Sequence, residues 1–187
     1  TAVELGEQAF SQALRSVSEN GYEENIEVIR GDIREIKKSI PHPTLDLAAC
    51  NPPYKAVGAG LRNPDERMEN ARHECTCTLE DVAKAGRDVL RFGGRFCLCQ
   101  RPERLADAMN VFRSYGLEPK RLRLVQQRIN TAPSLFLLEV RRGGKPGLSV
   151  LPTLIIEDEN GGFSAEMLEI YGNYKFGHEG GRADGRK

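Results

Sequence analysis

The spacing of apolar residues predicts a chain in which strands and helices alternate. Short apolar runs predict strands at residues 1–5, 26–29, 45–50 and 96–99. The run at 45–50 is nearly continuous, as expected for a strand buried on both faces of a parallel sheet. Apolar residues at helical spacing, with stop signals at glycine and proline, predict helices at 7–19, 33–40, 79–92 and 102–115.

The last third of the chain departs from this alternation. Apolar runs at 120–125 and 134–140 have no helical pattern between them, so we expect an antiparallel hairpin. One more extended apolar segment follows at 148–156. We predict an α/β fold with a mostly parallel sheet, and such sheets bind ligands beyond the carboxyl ends of their strands.

The same pattern divides the chain into three parts. Residues 1–142 carry the predicted domain, and residues 143–172 form a C-terminal extension packed on it. Residues 173–187 are rich in glycine and charged residues, which predicts a disordered tail. Residues 52–77 are polar and aperiodic, and a connection of about 25 residues inside a compact domain is usually functional.

Composition excludes some classes of function. Lys and Arg total 27, as do Asp and Glu, so the net charge does not indicate a general nucleic-acid binder. No apolar stretch reaches the length of a membrane span. Five cysteines, an odd number, favour reduced thiols in a cytoplasmic protein. The spacings Cys75-x-Cys77 and Cys97-x-Cys99 are too short for a typical zinc motif, so we expect no metal.

The stretch Asn51-Pro52-Pro53-Tyr54 carries the most specific chemistry in the chain. Consecutive prolines fix the backbone, so the Asn51 side chain and the following carbonyl are held in place at the end of a strand. Both groups accept hydrogen bonds, and together they suit the two hydrogens of an amino group. Tyr54 adds a flat ring for stacking on a planar base or amide. A plain Pro-Pro turn is the alternative for this segment.

The tetrapeptide resembles the motif of class I S-adenosylmethionine-dependent amino-methyltransferases, which act on adenine N6, cytosine N4 or glutamine nitrogen. Further segments are similar to the bacterial tRNA1(Val) (adenine-N6)-methyltransferase family, and the similarity extends to about Gly172. These segments are Ala71-Arg-His-Glu74, Cys77-Thr-Leu-Glu80, Arg101-Pro-Glu-Arg-Leu105, Leu117-Glu-Pro-Lys-Arg121, Gly143-Gly-Lys-Pro-Gly147 and Leu151-Pro152. The resemblance implies a Rossmann-like fold and methylation of an adenine next to the anticodon of tRNA.

The resemblance also assigns roles to single residues. Asn51, Pro52, Pro53 and Tyr54 match the catalytic motif. Glu4 matches the acidic residue that binds the ribose hydroxyls of S-adenosylmethionine. Asp32, with its neighbour Ile33, matches the acidic position near the cofactor's adenine, and Asp32 is equally a helix N-cap. Asn51 adjoins the cofactor as well.

Nothing in the sequence matches the glycine-rich loop that the family places after its first strand. The resemblance therefore implies that the first strand and helix are absent and that these residues alone bind cofactor weakly. Two alternatives stay open: a related amino-methyltransferase acting on protein glutamine, ribosomal RNA or DNA, and a non-catalytic RNA-binding module.

Basic residues are the candidates for contact with tRNA. Arg72 and His73 follow the motif in the long polar segment, where either RNA contact or a solvated loop fits. Arg101, Arg121 and Arg123 belong to a locally basic second half. If these side chains share a face, they are placed to contact phosphates; otherwise they are solvated surface residues.

Overall fold

A computed structural model describes residues 1–52 and 77–171. In chain order, its first elements are β1 (Ala2–Glu4), α1 (Glu7–Glu19), β2 (Val28–Arg30), a 3₁₀ helix (Ile33–Lys38) and β3 (Leu45–Cys50). The elements after the gap are α2 (Leu79–Val89), β4 (Leu90–Gln100), a 3₁₀ turn (Pro102–Arg104), α3 (Leu105–Ser114), β5 (Leu117–Gln126), β6 (Leu135–Arg142), β7 (Ser149–Val150), β8 (Leu154–Ile155) and α4 (Ala165–Tyr171).

The described strands form two sheets. β1 and β2 pair in parallel as a two-stranded sheet. The larger sheet has the order β3-β4-β6-β5-β7, and β8 also pairs with β5. β6 is antiparallel to both of its neighbours, whereas all the other pairs in this sheet are parallel. The antiparallel β5–β6 hairpin is as the sequence predicts, whereas the larger sheet is mixed rather than mostly parallel.

Helices α2 and α3 cover one face of the larger sheet. The core contains the side chains that β4 and β6 direct to this face, among them Phe96, Leu98, Phe136 and Leu138. Phe96 meets Phe112 of α3 with ring centroids 5.4 Å apart. Thr78 and Asp81 form a capping box that fixes the start of α2. This packing holds β3 and β4 in register, so it sets where the end of β3 lies.

Two predicted helices differ from the structure, and one helix of the structure is not predicted. α2 ends at Val89 rather than at Gly93-Gly94, because those glycines belong to β4. At these glycines the register between β3 and β4 shifts, from the pair Leu45–Leu90 to the pair Leu47–Arg95. Gly93 has a φ of 83°, a conformation that glycine adopts without strain. Residues 33–38 form a 3₁₀ helix rather than an α-helix. Helix α4 is not predicted by the sequence pattern.

The burial expected for β3 is also wrong in the described structure. β3 lies at the edge of the larger sheet, and Leu47 is 50% exposed. The exposed side of the strand carries Leu47 and Ala49, and the helices α2 and α3 lie on the opposite side. A run of apolar residues in sequence does not distinguish a central strand from an edge strand whose face is uncovered.

The C-terminal segment contacts the larger sheet. β7 pairs with β5 at Arg121–Ser149, and β8 pairs with β5 at Val125–Leu154. Met167 of α4 packs with Val125 and Leu154 in a small second core. The division into a domain and an extension at residue 142 stays a prediction, and residues 173–187 lie outside the described part of the chain.

Candidate functional site

The ends of three parallel strands meet at one cavity of about 190 Å³. Glu4 ends β1, Asp32 follows β2, and Asn51-Pro52 follows β3. The Gly31 backbone N–H donates to the Glu4 carbonyl at 3.0 Å, which ties the ends of β1 and β2 together. The cavity is lined by Val3, Glu4, Leu5, Gly31, Asp32, Ile33, Arg34, Cys50, Asn51, Pro52 and Cys77. The structure thus brings together Glu4, Asp32, Ile33, Asn51 and Pro52, all of which the sequence selects.

Glu4 is partly buried at the end of β1, with its carboxylate on the cavity. Among the described residues, no side-chain hydrogen bond or ion pair engages this carboxylate. Both of its oxygens are therefore available to accept hydrogen bonds from a ligand. Two oxygens on one carboxylate suit the adjacent hydroxyl groups of a ribose.

Asp32 is the N-cap of the 3₁₀ helix and is held by Arg34. Its Oδ1 accepts from the Arg34 backbone N–H at 2.9 Å. The Arg34 Nε donates to both carboxylate oxygens, at 3.0 and 2.8 Å. These hydrogen bonds from Arg34 hold the pKa of Asp32 below its ordinary value, so the carboxylate is ionised at neutral pH.

Asn51 and Pro52 occupy the mouth of the cavity. Asn51 is exposed, Pro52 is buried, and both residues line the cavity. The Asn51 amide forms no hydrogen bond with the described part of the chain. Its oxygen is free to accept from an amino group, as the motif predicts. Pro53 and Tyr54 lie outside the described residues.

Two cysteines and one arginine of this cavity are not selected by sequence reasoning. Burial raises the pKa of Cys50 above the ordinary thiol value. Burial, together with the nearby charge of Asp81, raises the pKa of Cys77 to about 11. Both thiols are neutral at physiological pH and serve as small apolar walls. The signal for Arg34 in the sequence is its position two residues after a predicted N-cap, within reach of that side chain.

A second, larger cavity of about 520 Å³ lies on the uncovered face of the larger sheet. Asn51 and Cys50 line both cavities. Its other walls are mainly apolar, with Ala49, Leu137 and Leu151 among them, and Arg121 and Arg123 lie on one side. The motif asparagine therefore stands where the two cavities meet.

Arg121 and Arg123 are both engaged by protein groups. Arg121 pairs with Glu139. Arg123 pairs with Glu166, and its Nε donates to the Pro152 carbonyl at 2.8 Å. Each guanidinium has five N–H donors, so these contacts use only part of its donor capacity. An RNA-binding role for the two stays a prediction.

The other residues predicted to contact RNA either do not line the two cavities or lie outside the described residues. Arg101 is exposed after β4, and its backbone N–H donates to the buried Gln100 side chain at 2.9 Å. Arg101 is not among the residues that line these two cavities. Arg72 and His73 lie outside the described residues. Within residues 1–52 and 77–171, no cluster of three or more His, Cys, Asp or Glu has the arrangement of a metal site.

No family model matches the chain. A curated tRNA1(Val) (adenine(37)-N6)-methyltransferase from Tolumonas auensis is 30% identical over 173 residues, which are 90% of this chain and 68% of that protein. The chain belongs to this methyltransferase family. The protein of the same name from Parabacteroides distasonis is 26% identical over 173 residues, covering 90% of this chain and 70% of its own length. This chain covers only 57% of the length of the protein of the same name from Bacteroides fragilis.

Solved structures support the fold of a family member. A predicted O-methyltransferase from Agrobacterium tumefaciens superposes with a TM-score of 0.68 at 18% identity, covering 90% of this chain and 74% of that one. TrmN from Thermus thermophilus superposes with a TM-score of 0.50 at 19% identity, over 75% of this chain and 35% of that one. The class I methyltransferase fold predicted from the sequence is confirmed. Membership of the family supports methyl transfer as the class of reaction.

Among the described residues, no helix combines the length and the apolar character needed to span a bilayer.

Proposed function

We propose that the complete protein transfers a methyl group from S-adenosylmethionine to N6 of adenine 37 in a tRNA of the tRNA1(Val) type. The observation that carries the proposal is the convergence of Glu4, Asp32 and Asn51-Pro52 on one cavity at the ends of three parallel strands. Family membership supports the choice of substrate. A cytoplasmic location follows from the proposed substrate.

The donor set of the cavity fits the proposed cofactor. Glu4 offers two unpartnered oxygens to a ribose diol, and Asp32 offers an ionised carboxylate to the amino group of an adenine. Ile33 and Val3 supply apolar walls for a flat ring. When bound, S-adenosylmethionine supplies a methyl group on a sulfonium, which a neutral amine attacks in line.

Asn51 and Pro52 hold the target amine. The Asn51 Oδ1 and the Pro52 carbonyl accept one hydrogen each from the adenine amino group, which draws the nitrogen toward tetrahedral geometry and frees its lone pair. Methyl transfer to this nitrogen would form the N–C bond, break the S–C bond of the bound cofactor and leave its electron pair on sulfur. The methylated nitrogen then loses a proton to water, so no protein base is required. Tyr54 stacks on the adenine in this proposal.

A radiolabelled transfer assay tests the proposal. The complete protein is incubated with methyl-labelled S-adenosylmethionine and, separately, with unmodified tRNA, ribosomal RNA, DNA and cell protein. We expect label in tRNA and its recovery as N6-methyladenosine after digestion. Label in protein, ribosomal RNA or DNA but not in tRNA contradicts the substrate. Binding of tRNA without transfer of label to any acceptor contradicts the enzymatic function and favours an RNA-binding module.

A further inference from the structure

We propose that Arg34 is a positioning residue that makes the cavity selective for the amino group of the cofactor's adenine. By holding the Asp32 carboxylate from its backbone and its side chain, Arg34 fixes the direction in which that carboxylate can accept from an N–H donor of the ligand. This inference deepens the proposed function and rests on it, since it requires the cavity to bind S-adenosylmethionine.

The contacts between the two residues define the orientation of the carboxylate. The Arg34 backbone N–H donates to Oδ1, and the Nε donates to both oxygens. The Nη2 of the same guanidinium donates to Oδ2. One residue therefore restrains the carboxylate from its backbone and from its side chain, and the Asp32 carboxylate has no freedom to rotate while these bonds hold.

The acceptor capacity of Asp32 is then nearly used. An ionised carboxylate offers about four lone-pair positions. Three N–H groups of Arg34 make four contacts with it, two on each oxygen, because the Nε–H is shared between both oxygens. The acceptor capacity left for a ligand is therefore small and fixed in direction, which suits one N–H of an adenine amino group better than a pair of donors. A carbonyl oxygen at the same ring position has no hydrogen to donate and is repelled by the carboxylate.

Glu4 provides the contrast within the same cavity. Its carboxylate has no partner among the described residues, so both of its oxygens remain open to ligand donors. Two acidic residues at neighbouring strand ends thus differ in the number of donors they can take. Glu4 suits a pair of hydroxyls, whereas Asp32 restrained by Arg34 suits one N–H group.

A purely structural role for the guanidinium is a poor explanation of this arrangement. The N-cap bond of the 3₁₀ helix uses the Arg34 backbone, not its side chain. The Arg34 side chain is 46% exposed and lines the cavity, so it fills no core space. An ion pair this exposed contributes little to folding stability. Its consequence is the fixed direction of the Asp32 acceptor.

Ligand selectivity tests the inference. In the complete protein, the dissociation constants of S-adenosylhomocysteine and S-inosylhomocysteine are measured by calorimetry; the two ligands differ only in the amino or oxo group of the base. We expect the wild type to bind the adenine ligand roughly tenfold or more tightly, as one hydrogen bond to a charged acceptor allows. In Arg34→Ala this preference falls to within about threefold.

Three further variants separate the explanations. Arg30→Ala is the matched control, because Arg30 pairs with Glu7 at similar exposure but does not line the cavity, and its preference should equal that of the wild type. Arg34→Lys keeps the charge but not the planar fork, so the preference should remain low. In an Asp32→Asn background, Arg34→Ala should leave the remaining preference unchanged, because Arg34 acts through Asp32.

The outcomes distinguish this inference from the proposed function. A wild type that binds neither ligand overturns both. A wild type that prefers the adenine ligand, with equal weakening of both ligands in Arg34→Ala, leaves the function standing and overturns the role of Arg34. Full recovery of the preference in Arg34→Lys also overturns it, because charge alone is then sufficient.

Discussion

At the scale of single residues, the candidate site has a separate side chain for each proposed ligand group: the ribose hydroxyls, the adenine of the cofactor and the target amine. Glu4 has no side-chain partner within the described part of the chain, Asp32 is held by Arg34, and Asn51 lines both cavities. Each of these side chains follows directly from the end of a strand, so the backbone decides its position more than its own rotamer does. Substitutions at these positions should change function with small effects on folding.

Asn51→Ala should separate the reaction from cofactor binding. The variant removes one of the two proposed acceptors for the target amine, and we expect kcat to fall roughly a hundredfold or more, as when a single oxyanion-hole donor is removed. Calorimetry with S-adenosylhomocysteine should give a dissociation constant close to that of the wild type. Asn20→Ala, at the exposed end of α1, is the control. Wild-type turnover in Asn51→Ala would refute the role of the amide.

Glu4→Gln should weaken cofactor binding. Gln is nearly isosteric but neutral, so the two hydroxyl donors of the ribose lose their charged acceptor, and we expect roughly tenfold weaker binding of S-adenosylhomocysteine. Glu7→Gln is the control, because Glu7 pairs with Arg30 and does not line the cavity. Equal affinities in the wild type and Glu4→Gln would remove Glu4 from the site.

Cys77 should react slowly with alkylating reagents. Its pKa of about 11 lies two units above the ordinary thiol value of 9.0, so at pH 8 it has roughly a hundredfold less thiolate than an ordinary cysteine. The rate of iodoacetamide labelling, followed by peptide mass spectrometry, should rise steadily until the pH approaches 11. An unfolded sample supplies the reference rate. Fast labelling of native Cys77 at pH 8 would show that the thiol is not desolvated.

At the scale of elements, sequence pattern gives most of the helices and strands, because local periodicity and caps decide them. The start of α2 is an example, since Thr78 and Asp81 form their capping box from neighbouring residues. The end of α2 is not predictable in this way. Gly93-Gly94 is a typical helix stop, yet pairing with β3 draws the chain into a strand from Leu90 onward. Long-range pairing of this kind has no local signature.

Gly86 of α2 provides a test of packing. A Cβ at this position lies 2.7 Å from a ring carbon of Phe96, which is buried in the core. We expect Gly86→Ala to lower the free energy of unfolding by about 1–2 kcal/mol, because overpacking outweighs the gain in helix propensity. Urea denaturation measures the change. Arg87→Ala, exposed on the same helix, should stay within about 0.5 kcal/mol of wild type.

The candidate site shows the same division between local and long-range information. Glu4, Asp32 and Asn51 are identifiable from sequence because each follows a predicted strand and matches a family motif. Arg34 and Cys77 are not, because their place in the cavity depends on how the 3₁₀ helix and the start of α2 pack against the strand ends. The pairing of Arg121 with Glu139 likewise depends on the register of β5 against β6.

At the scale of the whole molecule, two sheets contribute to one site. Glu4 and Asp32 come from the β1–β2 sheet, whereas Asn51 comes from the edge of the larger sheet. In the proposed function, the smaller sheet binds the cofactor's nucleoside, and the larger sheet presents the target amine. The distance between the two groups is therefore set by the relative position of two sheets rather than by a single loop.

Among the described residues β3 is an edge strand, and this position has a further consequence, for aggregation. An apolar edge strand with unpaired backbone groups is a template for strands of other molecules. Leu47 is half exposed on this strand, so a concentrated solution of the 187-residue chain should form β-rich aggregates on warming. Leu47→Lys should delay the rise in light scattering, whereas Ile129→Lys, at a more exposed position away from that edge, should not. Equal delays would instead point to general surface charge as the cause.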